Sequence, residues 1–274
     1  KKMTQNKISN PLRNSQLNSI HELVDEVGTR QLQDFGQINS DIKPDGTLIT
    51  ECDRWSDKTI VQGLDRIAKG EGVLSEEGNK SIPSSSEYWV VDPLDGTTNF
   101  AAGIPYWAIS IARFANGQPE TALLDIPALK KRILAIKGKG VWLNNKALKP
   151  ESRFKRNSDC ISLCSRSIKV LQKKPEKSFP GKIRLLGVSS LNMTSVAIGQ
   201  TIAALEATPK IWDIAAAWLI LEELNCLINW LETNPQDILS GTDLTSVNFP
   251  LLTASSEDHM NKMLPWANAL IEDN

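Results

Sequence analysis

The stretch WVVDPLDGTTNF, residues 89–100, places two carboxylates at the end of a short apolar run. The run Tyr88–Val91 has the composition of a buried strand; Asp92 follows it directly, and Asp95 comes three residues later. The carboxyl ends of strands are where α/β proteins bind their ligands. This stretch therefore predicts a buried strand that delivers two acidic side chains to a ligand site.

The residues of the turn after this strand suit an anion. We expect Pro93, which has no backbone N–H, to stop the hydrogen-bonded ladder of the strand. Gly96 permits a sharp turn, and the amides of Gly96, Thr97 and Thr98 can point at a phosphate if a helix begins there. Taken alone, however, two aspartates in a turn more often cap a helix than bind a ligand. The prediction of a site therefore depends on further acidic residues.

Further acids fall at the ends of two other predicted elements. Glu76 and Glu77 follow the apolar stretch 72–75, and Asp213 begins the apolar helix Ile214–Leu221. Each one alone is typical of a solvated turn or a helix cap. Together with the first pair they suggest an all-oxygen metal site, whose hard ligands suit Mg²⁺ or Mn²⁺. Such ions support the hydrolysis of phosphate esters.

Composition and charge exclude several other classes of function. The chain has 31 Lys and Arg against 32 Asp and Glu, so we expect no general attraction to nucleic acid or to an anionic membrane. Its 2 histidines, His21 and His259, leave little scope for a histidine-based triad. The 4 cysteines contain no CxxC pair, which argues against zinc and disulfides. With no signal-like or membrane-spanning apolar run, we expect a soluble cytoplasmic protein.

Hydrophobic periodicity predicts an α+β fold. Helices are expected at 14–35, 54–69, 191–197 and 213–223, and strands at 88–91, 106–115, 120–127, 131–137, 141–143, 161–164, 183–186, 201–205 and 227–230. Antiparallel strands dominate the first half, and helices alternate with strands in the second half. We therefore expect two parts, residues 1–150 with most metal ligands and residues 151–274 with Asp213 and the substrate contacts.

Three segments together resemble the motifs of a known family. WVVDPLDGTTNF, LSEEG (74–78) and WDIAAAW (212–218) are similar in order and spacing to the motifs of the inositol monophosphatase family, the lithium-sensitive, Mg²⁺-dependent sugar phosphatases. With KPDGTLITECD (43–53), the resemblance runs from about residue 14 to 270. It implies an α/β/α/β/α sandwich, a homodimer, and a phosphomonoesterase that acts on inositol monophosphate or a related polyol or sugar phosphate.

The resemblance also implies a set of metal ligands. Glu76, Asp92 and the carbonyl of Leu94 would hold a first Mg²⁺, which activates water. Asp92, Asp95 and Asp213 would hold a second ion, and Glu76 would also touch a third, water-rich ion. Two or three Mg²⁺ ions, or Mn²⁺ in their place, are therefore expected.

The same resemblance assigns roles around the attacking water. Thr97 and Asp53, joined by a hydrogen bond, match the pair of residues that orients and deprotonates the attacking water. Glu76 is a further catalytic residue. Asp53 can at the same time cap the helix at 54–69. Amides of Gly96 and Thr97 would bind phosphate oxygens, and Lys43 matches a lysine on a mobile loop near the metals.

The rest of the substrate is assigned to a second group of residues. Ser189 or Ser190 would lie near a substrate hydroxyl, Glu206 would accept a hydrogen bond from a polyol, and Asp95 would also contact the substrate. The chain departs from the family where paired glycines are usual, since it has Glu222–Cys226 there. Lys210 either meets a second anionic group or faces solvent.

Alternative functions remain open from sequence. Thr98-Asn99-Phe100 favours the inositol phosphatase branch over nucleotide-directed and histidinol-phosphate phosphatases. Fructose-1,6-bisphosphatase or histidinol-phosphate phosphatase activity on the same site stays an alternative. A regulatory, non-catalytic relative that binds a protein partner is a further possibility, which the intact ligand set argues against. We expect Trp142, Trp212 and Trp218 to fill the core.

Overall fold

The computed structural model describes residues 11–37, 39–44, 46–151, 159–173 and 178–272. Within these ranges the helices are α1 (Asn14–Asp34), α2 (Glu51–Ile67), α3 (Thr97–Ala101), α4 (Val170–Lys173), α5 (Ser189–Ala197), α6 (Ile211–Glu223) and α7 (Glu257–Ile271). The strands are β1 (Ser40–Ile42), β2 (Leu48–Thr50), β3 (Gly72–Ser75), β4 (Glu87–Asp95), β5 (Ala108–Ala115), β6 (Gln118–Ile126), β7 (Lys131–Ile136), β8 (Gly140–Leu143), β9 (Lys146–Leu148), β10 (Cys160–Leu163), β11 (Lys182–Arg184), β12 (Ala203–Glu206), β13 (Leu227–Trp230) and β14 (Leu251–Ala254).

A seven-stranded sheet carries the first half of the chain, in the order β3-β4-β5-β6-β7-β8-β9. Only β3 and β4 in it are parallel, so their carboxyl ends lie at the same edge. Pro93 does not end β4, contrary to the prediction. Asp92 pairs with Ser110 and Asp95 with Ala108, and the irregularity between them accommodates the residue that has no N–H.

A five-stranded sheet carries the second half, in the order β11-β10-β12-β14-β13. Strand β10 runs parallel to both β11 and β12, whereas β14 runs antiparallel to β12 and β13. The carboxyl ends of β10 and β12 therefore share one edge. Strand β14, helix α7 and the β1–β2 hairpin were not predicted from the sequence.

Helices cover the sheets in three layers. Helices α1 and α2 pack on the outer face of the seven-stranded sheet through a cluster that includes Val24, Leu64 and Trp89. Helices α5 and α6 lie between the two sheets. Helix α7, with α4 beside it, covers the far face of the five-stranded sheet. The layered α/β/α/β/α arrangement implied by the family resemblance is thus confirmed.

The core between the sheets draws residues from both halves of the chain. Val90 and Leu124 share one hydrophobic cluster with Val196 and Ile220. One continuous apolar core thus joins the two parts of the chain. The division near residue 150 stays a prediction.

Several local predictions need correction. Helix α2 begins at Glu51, with Thr50 as its cap, so Asp53 is not the capping residue that we expected. Instead its carboxylate accepts a hydrogen bond from the Thr50 amide at 2.7 Å, which completes a reciprocal capping box. Trp212 and Trp218 are buried, but Trp142 is only half-buried.

The turn after α6 is made without paired glycines. Asn225 adopts the left-handed conformation with φ 54°, which asparagine tolerates better than most residues. Glu223 accepts hydrogen bonds from the amides of Gly138 and Gly140 at 2.8 and 2.9 Å. The chain can thus enter β13 directly. Among the described residues, no helix is long and apolar enough to cross a membrane.

Candidate metal and phosphate site

Four carboxylates meet where β3 and β4 end and α6 begins. Asp92 and Asp95 lie in the last part of β4, Glu76 directly follows β3, and Asp213 is in the first turn of α6. The amide of Glu76 donates to the carbonyl of Val91 at 3.1 Å, which extends the β3–β4 pairing up to the site. Carboxylate oxygens of Asp92, Asp95 and Asp213 lie within 4.8 Å of one another.

Burial and mutual repulsion make these carboxylates costly to ionise. Burial raises the pKa of Asp92 well above its usual value, and the charges of Glu76, Asp95 and Asp213 raise it further. Burial and the charges of Asp95 and Glu76 do the same to the pKa of Asp213. A cation would relieve both costs, and buried oxygen ligands in close contact are what Mg²⁺ and Mn²⁺ bind. The donor set therefore fits the expected metal.

Lys43 is a basic side chain in direct contact with this cluster. It lies between β1 and β2, and its Nζ donates to Glu76 Oε1 at 2.8 Å and also to Glu77. Although burial lowers the pKa of Lys43, the two glutamates outweigh that effect and raise it. Burial and the neighbouring charge of Glu76 raise the pKa of Glu77 to about 7. Lys43 thus contacts the acid that the sequence assigned to the first metal.

Thr97 and Asp53 form the hydrogen bond that the family resemblance implies. Thr97 Oγ1 donates to Asp53 Oδ1 at 2.8 Å and lies 3.2 Å from the carbonyl oxygen of Leu94. The other carboxylate oxygen of Asp53 is held by Thr50 in the helix cap. The helix cap therefore holds one carboxylate oxygen of Asp53, and the other oxygen contacts Thr97 next to the end of β4.

The turn at Gly96 requires glycine. Its φ is 103°, and a Cβ there would lie 2.8 Å from Cγ2 of Val188. Helix α3 begins at the next residue, Thr97, so the first amides of that helix have no intrahelical acceptor. The positive φ of Gly96 and the start of α3 at Thr97 agree with the sharp turn that the sequence predicted after β4.

Asn99 is a structural residue of the site that sequence reasoning did not identify. Its Nδ2 donates to the carbonyls of Tyr106 and Leu186 at 2.9 and 2.8 Å. Asn99 thereby joins the turn after β4 to the segment that leads into α5. The only signal was its place in the TTNF motif, which indicated a subfamily and not a contact.

The two serines of the substrate prediction have different positions. Ser189 lines the cavity beside the carboxylates, and its Oγ donates to Glu206 Oε2 at 2.9 Å. Ser190 is fully buried and reaches the site through its amide, which donates to Asp95 Oδ2 at 2.8 Å. Of the two, only Ser189 can offer its side chain to a ligand, and Ser190 orients Asp95.

Glu206 lies beneath Ser189 instead of facing the cavity. It is 1% exposed and also accepts a hydrogen bond from Asn192 Nδ2 at 2.8 Å. Burial raises the pKa of Glu206 to about 7, against the lowering effect of its hydrogen bonds to Asn192 and Ser189. Glu206, the last residue of β12, is thus not a solvated side chain, and a contact with substrate would pass through Ser189.

A cavity of about 470 Å³ opens above these groups. This volume is within the range of about 300–1,000 Å³ that is usual for small-molecule sites. Besides the acids, its walls include Gly96, Thr97 and Thr98. Three further basic residues that the sequence did not place together also line it, namely Lys80, Arg166 and Lys210.

Known proteins resemble this chain in sequence. A histidinol-phosphatase of Mycobacterium tuberculosis is 33% identical over 203 residues, covering 69% of this chain and 77% of that protein. An inositol-1-monophosphatase of Mesorhizobium japonicum is 28% identical over 247 residues, covering 86% of this chain and 92% of that protein.

Solved structures share the fold at lower identity. The IMPase of Thermotoga maritima superposes with a TM-score of 0.79 at 23% identity, covering 94% of this chain and 99% of that one. An IMPase/NADP phosphatase complexed with Mg²⁺ and phosphate gives 0.75 at 24% identity, covering 95% and 96% of the two chains. The sequence model of the inositol monophosphatase family matches residues 14–261, and the chain therefore belongs to this family of phosphatases.

Proposed function

We propose that the protein is a Mg²⁺-dependent phosphomonoesterase that hydrolyses a polyol or sugar phosphate with an activated water. The observation that carries the proposal is the convergence of three aspartates within 4.8 Å, next to the Thr97–Asp53 hydrogen bond. The first feature suits a metal centre and the second suits proton transfer. Family membership supports the same reaction class.

Two sets of ligands are available for metal ions. Glu76, Asp92 and the carbonyl of Leu94 would hold one ion, and Asp92, Asp95 and Asp213 would hold another; a third ion at Glu76 remains part of the proposal. When bound, such ions supply positive charge that stabilises the phosphate and lowers the pKa of water. Mn²⁺ has similar ligand preferences and is a suitable substitute.

The side chains around the ligands have separate tasks. Thr97 Oγ1 accepts a hydrogen bond from the attacking water and passes its own proton toward Asp53 Oδ1, which lies 2.8 Å away. Amides of Gly96 and Thr97 would hold phosphate oxygens. Asp95 is held by the Ser190 amide, so its carboxylate is oriented before substrate arrives. Ser189, supported by Glu206, would position a substrate hydroxyl.

Inositol 1-phosphate and sugar phosphates are the substrates we propose, in a cytoplasmic homodimer with reduced thiols. The four cysteines all lie in the described part of the chain and form no disulfide there, which agrees with a reducing compartment. The intact carboxylate set supports a catalytic member over a purely regulatory one that binds a protein partner. The basic wall of the cavity disfavours histidinol phosphate, whose ammonium group it would repel.

The decisive experiment compares Mg²⁺-dependent phosphate release by wild type, Asp213→Asn and Glu76→Gln. Asp65→Asn, an exposed acid on α2, is the matched control. We expect both site variants to lose at least about 100-fold in kcat, in line with the loss of a metal ligand or its support, while the control keeps its rate. Unchanged turnover in either site variant at every Mg²⁺ concentration would overturn the metal assignment.

A further inference from the structure

The proposed reaction involves two proton transfers, and only one of them has been assigned to side chains. Thr97 and Asp53 take a proton from the attacking water, at a hydrogen-bond distance of 2.8 Å. The bond from phosphorus to the ester oxygen then breaks and leaves an alkoxide, which departs more easily if it gains a proton in the transition state. A proton donor in the cavity wall, separate from Thr97, would assist this step.

Ser189 places a hydroxyl in the cavity wall next to the metal ligands. It begins helix α5 and lines the cavity together with Asp95. Burial raises the pKa of Asp95, whereas hydrogen bonds from Ser190 and from the Ser189 amide lower it. The Ser190 amide lies 2.8 Å from Asp95 Oδ2. The start of α5 is thus in direct contact with one of the three aspartates, and the Ser189 hydroxyl faces the space beside it.

A buried carboxyl group lies directly behind this hydroxyl. Ser189 Oγ and Glu206 Oε2 are 2.9 Å apart, and Glu206 is 1% exposed whereas Ser189 is half-buried. A hydroxyl has one proton to donate and lone pairs that accept. When Glu206 is protonated, its carboxyl can donate to Ser189 Oγ, and the serine proton can then point into the cavity. One hydroxyl therefore connects the buried acid with the cavity.

The surroundings of Glu206 let it keep a proton up to about neutral pH. Burial, the largest cause, raises the pKa of Glu206 to about 7, although hydrogen bonds with Asn192 and Ser189 lower it. The charge of Asp95 on β4 raises this pKa further, and the Cys164 thiol, directly after β10, lowers it. General acid catalysis is most efficient when the pKa of the acid lies near the working pH. Glu206 meets that condition.

Other ionisable groups near the metal ligands are less suited to this task. Burial and the charge of Glu76 also raise the pKa of Glu77 to about 7, but Glu77 pairs with the ammonium of Lys43, which favours the carboxylate. Ammonium and guanidinium groups in the cavity wall release protons only well above neutral pH. The Ser189–Glu206 pair combines access to the cavity with a proton that can be released near neutral pH.

We propose that Ser189 donates a proton to the leaving oxygen of the substrate and that Glu206 replaces this proton through their hydrogen bond. As the ester bond breaks, its electron pair stays on the leaving oxygen, which takes the Ser189 proton. Ser189 takes the proton of Glu206, and the Glu206 carboxylate regains a proton from water after the alcohol has left. Ser189 is then a catalytic residue, and Glu206 acts through it. This inference rests on the proposed function and deepens it.

The test compares an ester whose leaving group needs a proton with one whose leaving group does not. Inositol 1-phosphate releases an alkoxide, whereas p-nitrophenyl phosphate releases a phenolate that is stable without a proton. We would measure kcat and KM for both esters across a range of pH, with wild type, Glu206→Gln and Ser189→Ala. Glu26→Gln, which changes an exposed glutamate on α1, is the matched control.

The Glu206→Gln variant should keep the packing around α5. Glutamine has the shape of glutamate and retains one oxygen that accepts a hydrogen bond. Asn192 Oδ1 has no hydrogen-bond partner within the described part of the chain, so the Asn192 amide can turn and accept from the new amide without losing another contact. Tm and Mn²⁺ affinity, measured on the same preparations, show that the variant is folded and keeps its metal site.

The two esters should respond differently. We expect Glu206→Gln and Ser189→Ala to lower kcat for inositol 1-phosphate at least about 100-fold and to keep kcat for p-nitrophenyl phosphate within about threefold of wild type. In wild type, kcat for inositol 1-phosphate should fall as pH rises through the pKa of Glu206. This fall should be absent in Glu206→Gln and with p-nitrophenyl phosphate. The control should keep both rates and the wild-type pH profile.

The outcomes separate the inference from the function on which it rests. Equal losses of kcat on both esters, or an unchanged pH profile in Glu206→Gln, would overturn the proton transfer and leave the phosphatase proposal standing. A higher KM for inositol 1-phosphate at unchanged kcat would also overturn it, since the pair would then only bind substrate. Hydrolysis of p-nitrophenyl phosphate alone would overturn the inference and the polyol substrate. No Mg²⁺-dependent release from either ester would overturn the proposed function itself.

Discussion

Replacing Thr97 by valine tests the proton path at the centre of the proposed mechanism. Valine has nearly the same shape as threonine but no hydroxyl, so it removes the 2.8 Å hydrogen bond to Asp53 Oδ1 and the 3.2 Å contact with the Leu94 carbonyl. Asp53 keeps its other contacts because Thr50 still holds the second carboxylate oxygen. The change therefore acts on one oxygen of one buried acid.

The expected effects on stability and on rate differ in size. Loss of a hydrogen bond to a charged group costs about 1.5–3 kcal/mol of unfolding free energy. General acid–base assistance is worth about 100-fold to 10,000-fold in rate. We expect Thr97→Val to remain folded with a modestly lower Tm, but to lose at least about 100-fold in kcat with little change in KM.

The assay is Mg²⁺-dependent phosphate release, with the unfolding midpoint measured on the same preparations. Thr97→Ser is the control, because serine keeps the hydroxyl and should keep most of kcat. The reasoning would be refuted if Thr97→Val retained kcat within tenfold of wild type. It would also be refuted if serine and valine lowered kcat equally, since the hydroxyl would then have no part in the reaction.

Two further predictions concern buried polar groups near the site. Burial raises the pKa of Glu206 from 4.5 to about 7, so the folded state favours its protonated form. The free energy of unfolding of the metal-free protein should therefore fall as pH rises from about 4.5 to about 7. Glu206→Gln should flatten this part of a Tm against pH curve, and an unchanged slope would contradict the assignment. Asn99→Ala removes two hydrogen bonds to backbone carbonyls and should cost about 2 kcal/mol, or about 4–8 °C in Tm by calorimetry. A Tm within 1 °C of wild type would show that the two segments are held together by other contacts.

The sequence was sufficient to predict where the acids would be. Asp92 and Asp95 follow an unbroken apolar run, and Asp213 begins an apolar helix, so their positions depend on local patterns that are visible in one chain. Convergence of these ends required only that elements of a layered fold share an edge. The structure agrees, with the aspartates within 4.8 Å of one another.

Side-chain direction and long-range contacts were beyond sequence reasoning. Ser189 and Ser190 are adjacent and chemically identical, and only the path of α5 shows that the first faces the cavity while the second is buried. Glu206 was expected at the substrate, but packing of α5 against β12 covers it. Asn99 contacts a residue that lies 87 positions away in the chain. None of these arrangements follows from spacing or periodicity.

The effect of Pro93 was predicted incorrectly for a related reason. A missing N–H removes one hydrogen bond, but a bulge lets the neighbouring residues keep their pairing. Asp95 remains paired with Ala108, so the strand continues through the proline. The proline in the sequence indicated an irregularity at this position. Pairing with β5 beyond the proline, which the sequence did not show, keeps β4 a single strand.

The central claim is that Asp92, Asp95 and Asp213 hold divalent ions for phosphate hydrolysis. Anomalous diffraction from crystals grown with Mn²⁺, a metal with similar ligand preferences to Mg²⁺, tests it most directly. We predict a Mn²⁺ peak in contact with all three aspartates, and its loss in Asp213→Asn. A Mn²⁺-active enzyme whose crystals show no peak at these carboxylates would contradict the account.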